Sequence, residues 1–252
     1  MNSVVCYNER MFCTMMGRAH LIIGTGVSLS VLALSGYEVT LAAVAAAVVG
    51  SLLPDIDEPN SMLVSRALPT KMLRLIQLLM IGAAGWVFFT RLAPPPWNLV
   101  LALLMISASF MPSRSMRKVI IFLIGIGLAW YGESYAPWNY IAGCLLIICT
   151  LVPHRGLTHT VYGTVAWTAL LYGTTRLHGD SIWLAGGLAY LLHLLADSLT
   201  NNGIKPLPPF KWKLRFKLMS TGTRKGAKIE NVCIALTTVL VVIALLRYKH
   251  LI

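Results

Sequence analysis

The chain is dominated by apolar runs of nearly membrane-spanning length, separated by charged residues, prolines and glycines. A helix that crosses the ~30 Å hydrocarbon core of a bilayer needs about 20 apolar residues, and ~17–25 is the usual range. Several runs here are short, so one pair is also compatible with a re-entrant segment. We predict an all-α polytopic transmembrane helical bundle of about eight to nine spans, and the nine candidates are 20–36, 38–54, 72–92, 97–112, 117–132, 137–153, 160–177, 181–199 and 231–247.

Composition supports a membrane protein and excludes several soluble classes. Hydrophobic residues make up 57% of the chain and charged residues only 12%, whereas soluble domains have about 25% charged residues. So few charges could not cover a water-facing surface. The five cysteines are odd in number and form no C-x-x-C pair, which argues against a disulfide framework and against a thiolate metal site.

The distribution of lysine and arginine predicts the topology. With a cytoplasmic N-terminus and alternating spans, 17 of the 21 basic residues fall in cytoplasmic segments, as the positive-inside rule requires. We therefore predict a multi-pass protein with its N-terminus inside, made of a polar segment (1–19) and one membrane-embedded domain (20–252). A signal peptide at 18–36 is the competing interpretation, but its cleavage would remove His20.

The few ionisable residues within or beside the apolar runs converge on one side of this topology. All eight are expected at the cytoplasmic edge of the bundle, where burial without partners would be costly. Imidazole and carboxylate together suit Zn²⁺, Mn²⁺ or iron, and four histidines with three aspartates suit two ions that share a bridging carboxylate. The predicted metal ligands are His20, Asp55, Asp57, His154, His159, His193 and Asp197, and Glu230 is the eighth residue.

A basic segment (200–229) is predicted to lie at the cytoplasmic interface. It has eight positive residues and no acid, and aromatic residues alternate with the basic ones around Lys213 and Arg215. Tryptophan and lysine at headgroup level suit a contact with anionic membrane lipids, although a plain positive-inside loop remains an alternative. Arg155 is either a topology anchor or a ligand for an anionic group. Nucleic acid is a poor candidate partner, because topology already explains the net charge of +12.

The motifs G-R-A-H, L-L-P-D-I-D-E-P-N-S, H-R-G-L-T-H, H-L-L-A-D-S-L-T and R-K-G-A-K-I-E, in this order, resemble the YdjM-like inner-membrane proteins. That family is described as LexA-regulated, membrane-bound, metal-dependent hydrolases, and its pattern is distantly similar to zinc-dependent phospholipase C. The resemblance implies a bacterial inner-membrane location and metal ligation by the seven residues above. Arg155 and Glu230 match recurring positions of the family pattern. The region between Ser61 and Pro153 departs from the shortest members by its extra apolar runs.

These observations predict a membrane metallohydrolase that cleaves a phosphoester, in a phospholipid or another lipid phosphate. Arg155, Lys213 and Arg215 would bind the phosphate, and Glu230 would position or protonate a ligand. Two other classes remain open: a transporter of a divalent metal or an anion, and a non-catalytic membrane protein with a structural metal. Transport is disfavoured because the candidate ligands cluster at one edge instead of following a path through the bilayer.

Overall fold

The computed structural model describes residues 5–152, 156–220 and 223–248, with side chains for 17–152, 156–220 and 223–247. This part of the chain is almost entirely helical, which confirms the predicted all-α class. Its only extended pairing consists of two isolated bridges, Thr200 with Met219 and Ile204 with Leu214. The α-helices are α1 (Val5–Leu34), α2 (Leu41–Leu52), α3 (Met62–Ala67), α4 (Thr70–Thr90), α5 (Trp97–Ser109), α6 (Ser113–Tyr131), α7 (Trp138–Leu151), α8 (Val161–Thr175), α9 (Asp180–Ser198) and α10 (Arg224–Tyr248).

Local sequence signals set several ends of the helices that lead to the candidate ligands. Thr40 caps α2 by accepting a hydrogen bond from the backbone N–H of Ala43, and Thr160 caps α8 in the same way through Gly163. After α2 the chain tightens into a 3₁₀ turn, Leu53–Asp57. Pro54 suits the first turn of this segment because its missing N–H would have no intrahelical partner there.

Helix α9 is the centre of the part of the fold that holds the candidate ligands. It packs against α1, α2 and α8, while α10 packs on the other side of α1. Small residues permit close packing: a Cβ added to Gly50 of α2 would lie 2.3 Å from the carbonyl oxygen of Gly186 in α9. The backbones of α2 and α9 are therefore nearly in contact near the end of α2 and about two turns before His193 in α9.

Helices α4 to α7 form a second packed region, in which α4 pairs with α5 and α6 with α7. Arg117 of α6 is buried and donates hydrogen bonds to the carbonyl oxygens of Pro59 and Leu68. These bonds fix α6 against the connection between the two regions. The stretch from Ser61 to Val152 contains none of the predicted site residues.

The number of candidate membrane spans is smaller than the predicted eight to nine. In the described residues three stretches are long and apolar enough to cross a membrane, namely Gly17–Leu34, Thr70–Thr90 and Arg224–Arg247. Helices α5 and α6, which are bent by 118° relative to each other, make a fourth if the pair is one span. Three of the other predicted spans fold into helices that are too short, whereas α9 has 19 residues but is not among the candidate spans. Helices α2, α7 and α8 have 12, 14 and 15 residues, so at ~1.5 Å per residue they fall well short of the hydrocarbon core.

The two terminal regions differ in detail from their predicted form. Helix α1 begins at Val5 and includes most of the predicted polar segment 1–19. In the basic segment the chain is mainly irregular up to Ser220, and α10 begins at Arg224, seven residues before the predicted start of the last span. The division of the chain into segment 1–19 and domain 20–252 stays a prediction.

Candidate metal centre

Five of the seven predicted metal ligands meet in one cluster, which we call the His/Asp cluster. They come from four separate elements: α1, the 3₁₀ turn after α2, the 3₁₀ turn Leu157–His159 before α8, and α9. Two overlapping groups have ligand atoms within 4.8 Å of one another, and His193 belongs to both. The members of the two groups are His20, His193 and Asp197, and Asp55, His159 and His193.

The distances within the cluster are close to those expected of groups that share a cation. His159 Nε2 lies 3.2 Å from Asp197 Oδ2 and 3.4 Å from Asp55 Oδ1. His193 Nε2 lies 3.7 Å from the same oxygen of Asp55 and 3.9 Å from Asp197 Oδ2. Two ligand atoms that are each ~2.0–2.2 Å from a tetrahedral cation lie about 3.3–3.6 Å apart. Most of these separations exceed the usual 2.7–3.2 Å of a direct hydrogen bond.

His193 is held with one ring nitrogen aimed into the cluster. Its Nδ1 lies 2.7 Å from the carbonyl oxygen of Ser51, so the Nδ1–H donates there and the lone pair is on Nε2. That Nε2 is buried and has no hydrogen-bond partner among the described residues. A buried polar atom without a partner is costly, and coordination of a cation would satisfy it. The donor chemistry of the site therefore fits a metal.

A chain of two hydrogen bonds orients His159. The hydroxyl of Thr158 donates to Asp57 Oδ2 at 2.8 Å, and its oxygen lies 3.1 Å from His159 Nδ1. Because the single hydroxyl proton points to Asp57, the Nδ1–H of His159 donates to Thr158 and Nε2 faces the two carboxylates. Such outer hydrogen bonds fix the tautomer and orientation of metal-binding histidines.

Asp197 is placed to bridge two positions. Its Oδ1 lies 3.5 Å from His20 Nε2, whereas its Oδ2 faces His159 and His193. The rings of His20 and His193 are stacked, with centroids 3.9 Å apart and planes 17° from parallel. Since two stacked imidazolium ions would repel each other, this arrangement disfavours protonation of both rings at once, and a ring must release the proton on its coordinating nitrogen to bind a metal.

Electrostatic coupling within the cluster is strong. Burial by itself would raise the pKa of Asp55, but the facing His193 and His159 hold the pKa of that carboxyl well below its usual range. Burial would lower the pKa of His159, but hydrogen bonds to Asp197 and Asp55 outweigh it and raise that pKa to about 9. In the metal-free protein a proton on His159 thus offsets part of the carboxylate charge that a cation would otherwise balance.

The remaining predicted site residues lie elsewhere or outside the described part. Asp57 is buried but belongs to neither ligand group, and it acts through Thr158. Glu230 is buried at the start of α10, close enough to His20 for the two charges to interact. The predicted ligand His154 and the predicted phosphate-binding Arg155 lie outside the described residues, so their assignments stay predictions.

Lys213 and Arg215 are solvent-exposed on the basic segment. Their segment is held at the end of α9, because the backbone N–H of Phe216 donates to the carbonyl oxygen of Ser198, the residue after Asp197. No ion pair of Lys213 or Arg215 occurs with the described acidic residues. Their predicted role in phosphate binding therefore depends on a ligand that reaches out to this surface.

Two residues of this arrangement were not predicted. Thr158 lies within the H-R-G-L-T-H motif directly before His159, and this position was the only signal for it. Ser51 contributes a backbone carbonyl, for which side-chain patterns carry no signal. Both contacts join residues far apart in the chain, Thr158 with Asp57 and His193 with Ser51.

Comparison with known protein families matches residues 15–250 to the family described as YdjM inner membrane protein. The matched range includes every residue of the His/Asp cluster and the whole basic segment. No match was found among curated proteins or among solved structures.

Proposed function

Because the chain belongs to the YdjM inner membrane protein family, we propose that it is a multi-pass, metal-dependent membrane hydrolase of the bacterial inner membrane. The observation that carries this proposal is the His/Asp cluster, in which two ligand groups share His193 and Asp197 presents its two oxygens to different histidines. Burial of three histidines and two carboxylates from separate elements is costly unless these groups are paired or bind a cation. A bound cation would compensate this cost.

We propose that the cluster would hold two divalent cations, Zn²⁺, Mn²⁺ or iron, and that Asp197, whose two oxygens face different histidines, would help to hold both. His193 has only Nε2 left for coordination because Nδ1 donates to Ser51, so this residue cannot by itself serve two ions. His20 with Asp197 would hold one ion, and Asp55, His159 and His193 would hold the other. Such a pair of cations supplies activated water and neutralises charge on a phosphate.

The proposed reaction is hydrolysis of a lipid phosphoester. Water adds to phosphorus, the phosphorus–oxygen ester bond breaks, and the water protons go to the leaving oxygen and to solvent. Arg155 and the exposed Lys213 and Arg215 would bind the phosphate. Glu230, whose charge interacts with that of His20, would position that ring. A cytoplasmic N-terminus and an inner-leaflet substrate belong to the same proposal.

The test is turnover in nanodiscs. Purified protein reloaded with Zn²⁺ or Mn²⁺ is incubated with phosphatidate or phosphatidylglycerol, and released phosphate or glycerol phosphate is measured by mass spectrometry. We expect metal-dependent release that is lost in His193→Gln and kept in the matched variant His178→Gln, since His178 is exposed and outside the cluster. A metal-loaded protein that releases neither product, but carries the metal across a membrane, would replace the hydrolase with a transporter.

A further inference from the structure

A cavity of about 360 Å³ lies between α7 and α8, directly beside the His/Asp cluster. Its walls are largely aliphatic and include Leu145 and Ile148 of α7 and Ala166 and Leu170 of α8. Ligand cavities in proteins run from about 300 to 1,000 Å³. This one is at the small end of the range and suits one narrow ligand.

Three of the polar side chains that line this cavity make hydrogen bonds to protein groups. The Tyr190 hydroxyl donates to the carbonyl oxygen of Thr158 at 2.6 Å, and the Trp167 indole N–H donates to the carbonyl oxygen of Gly186 at 3.2 Å. The Thr158 hydroxyl donates to Asp57. Cavities with mainly apolar walls stay dry and take up hydrocarbon. The chemistry of the walls therefore points to an alkyl chain.

The cavity and the cluster share a wall. Ile56 lines the cavity and is the residue between Asp55 and Asp57. Thr158 also lines it, and its hydroxyl contacts both Asp57 and His159. A ligand whose chain fills the cavity would therefore place its head group next to the candidate metal ligands.

Part of the cavity wall reaches the outer face of the bundle. Ile148, Leu157 and Tyr162 line it and are 41%, 46% and 48% exposed. In a membrane protein, exposed apolar residues of this kind face the hydrocarbon of the bilayer. A lipid chain could enter between α7 and α8 without leaving an apolar environment.

We propose that this cavity binds a single hydrocarbon chain of the substrate, so that the substrate is a lipid phosphate anchored by one alkyl or prenyl chain. The inference rests on the proposed function for the identity of the head group, and on the cavity alone for the chain. The cavity then selects substrates by chain length and directs the phosphoester into the His/Asp cluster.

The experiment measures binding of two uncleavable probes, tritiated hexylphosphonate and dodecylphosphonate, to protein in nanodiscs, with empty nanodiscs subtracted. Each buried methylene favours binding by about 0.8 kcal/mol, so wild type should bind dodecylphosphonate at least tenfold more tightly than hexylphosphonate. Ala166→Phe, which fills the cavity, should abolish this preference because it weakens binding of dodecylphosphonate more than binding of hexylphosphonate. Ala169→Phe is the matched control, because Ala169 is an exposed residue of the same helix that does not line the cavity.

Equal chain preference in wild type and both variants would overturn the proposal, as would the absence of any preference in wild type. The outcome is separable from that of the proposed function. A chain preference that Ala166→Phe abolishes would support the cavity even if no phosphoester were hydrolysed. Hydrolysis with an unchanged preference in Ala166→Phe would support the hydrolase and remove the cavity from substrate binding.

Discussion

His193 Nδ1 lies 2.7 Å from the carbonyl oxygen of Ser51, and this hydrogen bond ties the centre of the cluster to the end of α2. The acceptor belongs to the backbone, so the position of His193 Nε2 depends on the spacing between α2 and α9. That spacing is set one residue away, where Gly50 packs against Gly186. Helix packing and the geometry of the metal ligands are therefore coupled.

Gly50→Ala tests this coupling. A Cβ at this position would lie 2.3 Å from the carbonyl oxygen of Gly186, a contact that only a shift of the backbone can relieve. We expect a loss of about 1–3 kcal/mol in stability, together with weaker metal binding because α2, which leads into the turn with Asp55, moves away from α9, which bears His193. Thermal unfolding in detergent and metal titration measure the two effects.

Gly82→Ala is the matched control for that variant. A Cβ at Gly82 of α4 has nothing within 4 Å, and alanine is favoured over glycine in a helix by up to about 1 kcal/mol. This variant should therefore be as stable as wild type or slightly more stable, with unchanged metal affinity. If Gly50→Ala behaved like Gly82→Ala, the packing of α2 against α9 would not determine the site.

Thr158→Val tests the positioning of His159. Valine has nearly the shape of threonine but removes the hydroxyl that joins Asp57 to His159 Nδ1. Loss of such an outer hydrogen bond usually lowers metal affinity about 10–100-fold, and we expect a loss in that range from a folded protein. Competition with a chelator of known affinity measures it.

Two variants serve as controls for Thr158→Val. Thr158→Ser keeps the hydroxyl and should bind metal nearly as well as wild type. Thr164→Val removes a hydroxyl that donates only to the carbonyl oxygen of Thr160 in its own helix, and it should leave metal affinity unchanged. Equal affinities in Thr158→Val and Thr164→Val would contradict the role assigned to Thr158.

Metal binding should also depend on pH. Hydrogen bonds from the His159 ring to the carboxylates of Asp197 and Asp55 raise the pKa of His159 to about 9, so below that pH a cation must displace the proton. The apparent affinity should therefore fall as the pH is lowered, by about tenfold per pH unit for one displaced proton. Isothermal titration with Mn²⁺ in buffers of different ionisation enthalpy measures both the affinity and the protons released. A constant affinity and no proton release would show that His159 is not a ligand.

Much of the site could be predicted from the sequence because ionisable residues are rare in this chain. Nine acids and six histidines among 252 residues made each one conspicuous, and those placed in apolar runs needed partners. The spacing of His193 and Asp197 placed both on one helical face. The structure brings these two residues together with His20, Asp55 and His159.

Other features could not be predicted, for physical reasons. Apolar runs show where helices form, but the helix ends at Leu52 and Leu151 depend on the local turns that follow. The span count was therefore too high. Thr158 and Ser51 act through a neutral hydroxyl and a backbone carbonyl, and such groups occur throughout any sequence. The cavity arises from the packing of α7 beside α8, which no local pattern specifies.

The most direct test of the central claim is the metal content of protein purified in detergent and reloaded, compared between wild type and Asp197→Ala by mass spectrometry. Asp180→Ala is the control, since Asp180 is an exposed acid at the other end of the same helix. We predict two equivalents of Zn, Mn or Fe in wild type and in Asp180→Ala, and loss of both in Asp197→Ala. Wild type that held no metal after reloading, or Asp197→Ala that held as much as wild type, would contradict the account.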